Sequence, residues 1–320
     1  MQTKSSEART GWLLIAPPAV VTFLLLAAPL VTVLVYSVLT GSRGAVSLPV
    51  TGENYYNIFR TAGGNILEKL GDGSVWDMLK MRNWAGIADI FSSAPFLLVI
   101  GRAIFVAVMV TLVTVLLAYP IAYFVSFHVQ SSKKSLWLFL ITIPFWTSYI
   151  IRVALWRTIL GYDGIVDSSL MGLGIMDTQL NVLQYGVTSI IITLSHAYAP
   201  FAVLPIFVSL EKVDRSLLEA GQDLGESKWR TFLRVTLPLS MPGVIAAVLI
   251  VFIPTAGDYV TPELIGAGKV PMVSNFVETQ LLKSRNFAMG SALAATAMIV
   301  VALISVAFLL LNRRFIGGRK

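Results

Sequence analysis

Six apolar runs, each long enough to cross a bilayer, leave this chain few folds to choose from. A span needs about 20 residues, at about 1.5 Å of rise each, to traverse the hydrocarbon core. Residues 12–39, 96–127, 136–160, 187–210, 241–265 and 287–311 all reach that length. Lipid offers no partner to a backbone N–H or C=O, so runs of this kind must close their own hydrogen bonds as helices. The composition agrees: 56% of the 320 residues are hydrophobic and 13% charged, with a mean hydropathy of +0.78. The expected fold class is therefore an all-α polytopic membrane protein. The first run is too long for a secretory signal core, and reads as an uncleaved span.

Between the runs, charge sets the orientation. A polar head (1–11) carries Lys4 and Arg9, and the turn after the second run carries Lys133 and Lys134. The stretch 211–238 holds Lys212, Arg215, Lys228, Arg230 and Arg234; the tail (312–320) holds Arg313, Arg314, Arg319 and Lys320. The loop after the third run is acidic (Asp163, Asp167, Asp177), and in 40–95 the basic residues are matched by acids. The positive-inside rule then places both termini and 211–238 in the cytoplasm. The net charge of +7 is thereby a matter of membrane orientation, and no nucleic-acid partner is expected. With no cysteine, disulfides and thiolate chemistry are excluded, and the lone His128 and His196 are too far apart in sequence to suggest a metal site. In the segment 40–95, short helices are expected over 54–60 and 75–84. Trp76, Met78, Leu79 and Trp84 suit the second to a membrane interface.

The stretch 214–238 is dense in charge between two apolar runs and reads as a helix–turn–helix. Its first helix covers 216–224, Gly225 stops it in a left-handed cap, and Glu226-Ser227 restart a second helix to about residue 235. Pro238 closes the unit and opens the next run. No phosphate loop accompanies it: the only Gly-Lys pair, Gly268-Lys269, is followed by Val270, and Glu263 stands where the first glycine should be. A pump built on this chain needs its nucleotide site on a partner.

Glu219-Ala220-Gly221, Gly225 and Val235-x-Leu237-Pro238 fall at the spacing of the EAA signature, E-A-A-x(3)-G-x(9)-I-x-L-P, and in this the chain resembles the permeases of ABC importers. It departs at Gly221, where the family has a second alanine, and at Val235, where it has isoleucine. The 143–152 stretch, IPFWTSYIIR, is similar to the P-x-W-T-S-x-x-x-R segment of the spermidine/putrescine branch. So are Pro200 to Pro205 running into Leu210-Glu211-Lys212, and Gly257-Asp258-Tyr259 through Leu264. This similarity covers roughly 96–311, with Glu53-Asn54-Tyr55 as an outlying match. It implies the type I importer permease fold: a five-helix core (96–311) after the first helix (12–39) and a periplasmic segment (40–95). It further implies a multi-pass inner-membrane location and a non-catalytic subunit with no cofactor on this chain, ATP and Mg being held by the partner. Expected partners are a second permease subunit, two ATP-binding cassette subunits and a periplasmic binding protein. The resemblance makes Leu217, Leu218, Glu219, Ala220, Gly221, Asp223 and Gly225 the ATPase-coupling set, with the leucines seated in a groove and Glu219 paired on its rim.

For the substrate pathway, Asp258 lies 16 residues beyond Pro242, roughly 24 Å up a continuous helix. A carboxylate at membrane depth is a functional candidate by default. Pro254 and Gly257 break the helix beside it, which would turn free carbonyls toward the same cavity. Trp146, Tyr149, Tyr198 and Tyr259 would suit a polyammonium chain through cation–π contacts of roughly 0.5–2 kcal/mol each, and Glu263 joins them. Two alternatives stay open: the aromatics are packing, and Asp258 pairs with Arg152 or Arg157. His196 fits a hydrogen-bonded helix residue better than a proton relay. An intramembrane hydrolase would need a second carboxylate or a nucleophile with its base, and none accompanies Asp258.

Overall fold

The computed structural model describes residues 3–42, 44–61, 64–81, 86, 93–180 and 186–316, which form two compact units. The first comprises residues 1–94 with 276–296. Its helix α1 (Thr3–Ser37) tolerates Pro17, Pro18 and Pro29, and its apolar stretch from Leu14 is largely exposed, with only Ser37 at its end buried. The chain leaves α1 into an antiparallel ribbon, β1 (Leu39–Ser42) and β2 (Ala45–Val50). This corrects the all-α expectation: the fold is mostly helical with two small sheets. The signal is present in the alternation of Val46, Leu48 and Val50 after a glycine-bounded turn, a period of two that suits a strand. Helix α2 (Glu53–Ile58) follows, then the short pair β3 (Arg60–Thr61) and β4 (Gly64–Asn65), then α3 (Ile66–Gly71) and α4 (Ser74–Lys80). The end of the interfacial helix expected over 75–84, with Trp84, lies outside the described residues. Asn54 and Tyr55 fasten α2 to the exit of α1. The Asn54 amide donates to the carbonyls of Ser37 and Leu39, and the Tyr55 hydroxyl donates to Ser37 Oγ.

The second unit, residues 95–275 with 297–320, contains both sets of candidate functional residues. Helix α5 (Pro95–His128) packs against α9 (Val187–Leu210), and both pack against α12 (Leu237–Ala256). The buried stripe of α5 is made of small residues (Ala103, Val106, Ala107, Val110, Ala118, Ala122), while Phe105, Leu112, Leu116 and Phe124 face outward. Small residues inside and large ones outside is the arrangement of helices packed in lipid, where close backbone approach replaces the hydrophobic drive. Gly243 on α12 shows how close: a Cβ there would collide with the Pro205 carbonyl oxygen and lie 2.5 Å from Ser209 Cβ.

Two expected spans are not straight. The third becomes α6 (Ser131–Thr142), a 3-10 turn (Ile143–Trp146) and α7 (Tyr149–Leu160), with a bend of 82° between the segments Ser131–Trp146 and Tyr149–Gly172. Pro144 takes an N–H out of the helical ladder, and Thr147 and Ser148 pass the bend in extended conformation. Helix α8 (Ile165–Gly172) follows in the acidic loop. Among the described residues five helices are long and apolar enough to span a membrane, or up to six if this bent pair counts as one.

The fifth span begins earlier and ends sooner than 241–265. Helices α10 (Arg215–Asp223) and α11 (Lys228–Thr231) form the charged hairpin, and α11 continues through a π turn (Phe232–Thr236) into α12 as one helix from Lys228 to Ala256. Pro238 therefore does not close the hairpin. Its missing N–H and its ring disturb the turn before it, and the wider π turn accommodates both without a break. The break comes at Gly257, after which α13 (Val260–Leu264) takes a new start. The chain then runs through α14 (Val273–Glu278), α15 (Phe287–Leu311) and α16 (Arg313–Ile316).

Candidate functional site

The hairpin is built by its caps. Asp214 Oδ1 accepts from the Ser216 N–H at 3.0 Å, satisfying one orphan donor at the start of α10. That backbone bond holds the Asp214 carboxyl below its usual range. At the other end Gly225 adopts φ +84°. The Gly225 N–H donates to the Gln222 carbonyl and the Glu226 N–H to the Gly221 carbonyl, the two bonds of a Schellman cap. Ser227 caps α11, and Arg234 pairs with Glu226 across the turn. A Cβ on Gly221 would lie 3.3 Å from Thr231 Cγ2, so one of the two residues that depart from the family signature sits where the arms of the hairpin come close.

No residue of α10 is buried. Leu217 is 47% exposed, Leu224 87% and Trp229 67%, while Glu219, Ala220 and Asp223 are also exposed and Leu218 is half-buried. A groove of about 580 Å3, lined by Val208, Lys212, Leu217, Leu239 and Pro242 among others, runs beside the root of α10. The candidate coupling residues thus form a capped, amphipathic helix that keeps much of Leu217 exposed at the edge of this groove.

The candidate pathway residues divide. Asp258 is 8% exposed in the turn between α12 and α13. The Tyr149 hydroxyl of α7 donates to its Oδ2 at 2.9 Å, and the Val260 N–H donates to its Oδ1 at 3.1 Å. Since the single Tyr149 proton is used on Asp258, the Thr261 hydroxyl, 2.7 Å away, donates to Tyr149. Ser274 donates to the Asp258 carbonyl and Asn275 to that of Tyr259, so two backbone acceptors freed at the break are satisfied. Tyr198 stacks obliquely on Phe201 in the same unit. Trp146, by contrast, is 75% exposed at the 3-10 turn and contacts Phe139, while Tyr259 and Glu263 are exposed. The structure brings Tyr149 to Asp258 and leaves Trp146 apart.

Arg152 is not the partner of Asp258. Its guanidinium lies over the rings of Phe145 and Tyr149, 5.7 and 6.0 Å from their centroids, and reaches the Ala197 carbonyl at 3.4 Å. It is 7% exposed, and its Nε has no hydrogen-bond partner. Neither it nor Arg157 joins an ion pair among the described residues. His196 Nδ1 accepts from Trp156 Nε1 at 3.1 Å. No cluster of three or more His, Cys, Asp or Glu able to hold a metal occurs among the described residues.

A further cluster is one that sequence patterns did not announce. Glu211, at the C-terminal end of α9, accepts from Lys134 Nζ at 2.7 and 2.8 Å and from Ser126 Oγ at 2.6 Å. Partial burial pushes its carboxyl up, but the Lys134 and Ser126 hydrogen bonds with the Lys134 charge outweigh it and hold it below the ordinary value. Only the opposite signs of Lys134 and Glu211 at the ends of neighbouring runs hint at the pair.

The family described as "Binding-protein-dependent transport system inner membrane component" matches residues 20–316. Over 272 residues the chain is 33% identical to the spermidine/putrescine transport system permease protein PotB of Haemophilus influenzae, covering 84% of this chain and 83% of that one. It is 36% identical over 202 residues to PotB of Escherichia coli, covering 63% and 73%. In fold it is similar to a chain of a bacterial ABC transporter involved in the import of the acidic polysaccharide alginate. There the TM-score is 0.63 at 16% identity, with 97% of this chain and 98% of that one covered.

Proposed function

This chain belongs to the family of inner-membrane components of binding-protein-dependent transport systems, and from that premise we propose that it forms half of the translocation pathway of a polyamine importer. It is an ABC transporter permease and a multi-pass inner-membrane protein, a transport subunit rather than a catalytic one. The observation that carries the coupling role is the hairpin: Leu217, Glu219 and Leu224 stand exposed on a well-capped helix, attached to a bundle whose sequence holds no phosphate loop. On this reading the bent pair α6–α7 counts as one of six spans and both termini are cytoplasmic. The segment 40–95 faces the periplasm, where a binding protein rests. ATP and Mg sit on two cassette subunits, and a second, homologous permease completes the pore. Closure of the cassettes draws the hairpins together and opens the pathway outward; their parting reverses it. The polyamine assignment is supported by the PotB relatives and by a buried carboxylate, Asp258, braced by Tyr149.

The test is reconstitution of the full transporter in proteoliposomes with labelled spermidine. Glu219→Lys should insert and assemble, yet hydrolyse ATP without uptake; full uptake by that variant removes the docking role. A second substrate reading, a small solute bearing an anionic as well as a cationic group, is favoured by one observation. Arg152, buried with an unpartnered Nε, lies against the ring of Tyr149, the residue that holds Asp258. Competition of spermidine uptake by amino-acid-like zwitterions, but not by putrescine, would decide for it.

A further inference from the structure

We propose that the cytoplasmic end of α5 is the element through which the hairpin moves the bundle, and that Glu211, with Lys134, is the positioning residue that locks the hairpin to it. The inference rests on the reading of the hairpin as the ATPase contact. Both arms of the hairpin are fixed to the last turns of the same helix. On the first arm, Arg215 of α10 donates to the Ser126 carbonyl at 3.2 Å and stacks over Phe127 at 5.8 Å. Ser126 in turn donates to Glu211, which also holds Lys134 of α6, so three elements meet at one carboxylate. On the second arm, Phe232 sits edge-on to Tyr119 and Tyr123 of α5, with ring centroids 5.7 and 5.9 Å away, and stacks on Trp229. The Tyr119 hydroxyl meets Ser240 Oγ at 2.8 Å, carrying the attachment into α12.

The charges of the first arm stand where helices do not want them. Glu211 is an anion at the C-terminus of α9, and Lys134 a cation in the first turn of α6; each opposes the dipole of its own helix. Reversing the two would suit both helices better, so helix stability does not account for this polarity. The present polarity does place the carboxylate where Ser126 and Lys134 converge on it, one short turn before Arg215 enters the hairpin. A hairpin held at both arms cannot swing against α5; it carries that helix with it.

The experiment uses the complete transporter in proteoliposomes, reading ATP hydrolysed per spermidine imported. Glu211→Gln, Lys134→Gln and Arg215→Gln should co-purify with the cassette subunits as the parent does, and raise that ratio about fivefold or more. The exchange Glu211→Lys with Lys134→Glu should leave the ratio raised, because a lysine at 211 cannot accept from Ser126 and stands beside Arg215; full recovery would overturn the argument from polarity. An unchanged ratio in the single variants, or uptake and hydrolysis falling in parallel, overturns the proposal. If Glu211→Gln fails to accumulate, Arg215→Gln, at an exposed position, carries the test alone. Glu219→Lys runs beside them. If it uncouples and the lock variants do not, only the lock is lost; if it leaves uptake intact, the docking reading fails and the lock with it.

Discussion

Tyr149 holds together two elements that hydropathy treats as separate spans. Its hydroxyl is shared between Asp258 and Thr261, and its ring lies under Arg152. Tyr149→Phe removes both hydrogen bonds and should lower stability by about 1 kcal/mol, read as a small drop in melting temperature in detergent. Asp258→Asn keeps an acceptor for Tyr149, so assembly should survive while spermidine uptake falls; unchanged transport kinetics would return Asp258 to a purely structural duty. Gly243→Ala sets a Cβ against the Pro205 carbonyl oxygen. Backbone cannot yield there as a side-chain tip can, so a loss of about 1–3 kcal/mol is expected in the same assay. Residue type alone nominates Tyr149 and Asp258. Their meeting, across 109 residues, depends on the bend at Pro144 and the break at Gly257, and no local pattern states it.

At the level of elements, apolar length identifies the helices and proline and glycine mark their interruptions, but not what each interruption does. Pro144 bends a span, Pro238 is absorbed in a π turn, and Gly225 ends a helix with a full Schellman cap. The β1–β2 ribbon is legible in the alternation at Val46, Leu48 and Val50, although the glycines around it compete as turn signals. The Lys134–Glu211 pair is not legible, because its polarity runs against the helix-end preferences by which charges are placed from sequence. Its pH dependence follows from direction. A carboxyl held below its unfolded value contributes stability that is present above that value and is lost as pH falls through the folded one. The stability difference between the parent and Glu211→Gln should therefore be constant from neutral pH to about 5 and shrink below about 4. A gap that narrows already between pH 7 and 6 would point to a different group.

For the whole molecule, the orientation comes from charge and the span count from how the α6–α7 pair is read. The chain contains no cysteine, so any introduced thiol reports alone. A cysteine at Ser216 or Asp223 should react with an impermeant reagent only from the cytoplasmic side, and one at Ser47 only from outside; the reverse pattern would invert the topology. The unburied face of α1 explains why sequence can name that span but not seat it. Its apolar stretch is exposed among the described residues, so nothing in the sequence marks what it packs against.

The helix from Lys228 to Ala256 is 29 residues long, about 44 Å from end to end. Trp229 stands at its wet tip, and the turn bearing Asp258 begins where it stops. Hairpin and carboxylate are the two ends of one shaft. Its hydrogen-bond ladder is rewritten as a π turn at Phe232–Thr236, near the hairpin, and loses a donor at Pro242 and again at Pro254. On the proposed reading, a push at Trp229 crosses those three interruptions before it reaches Gly257 and the turn that carries Asp258.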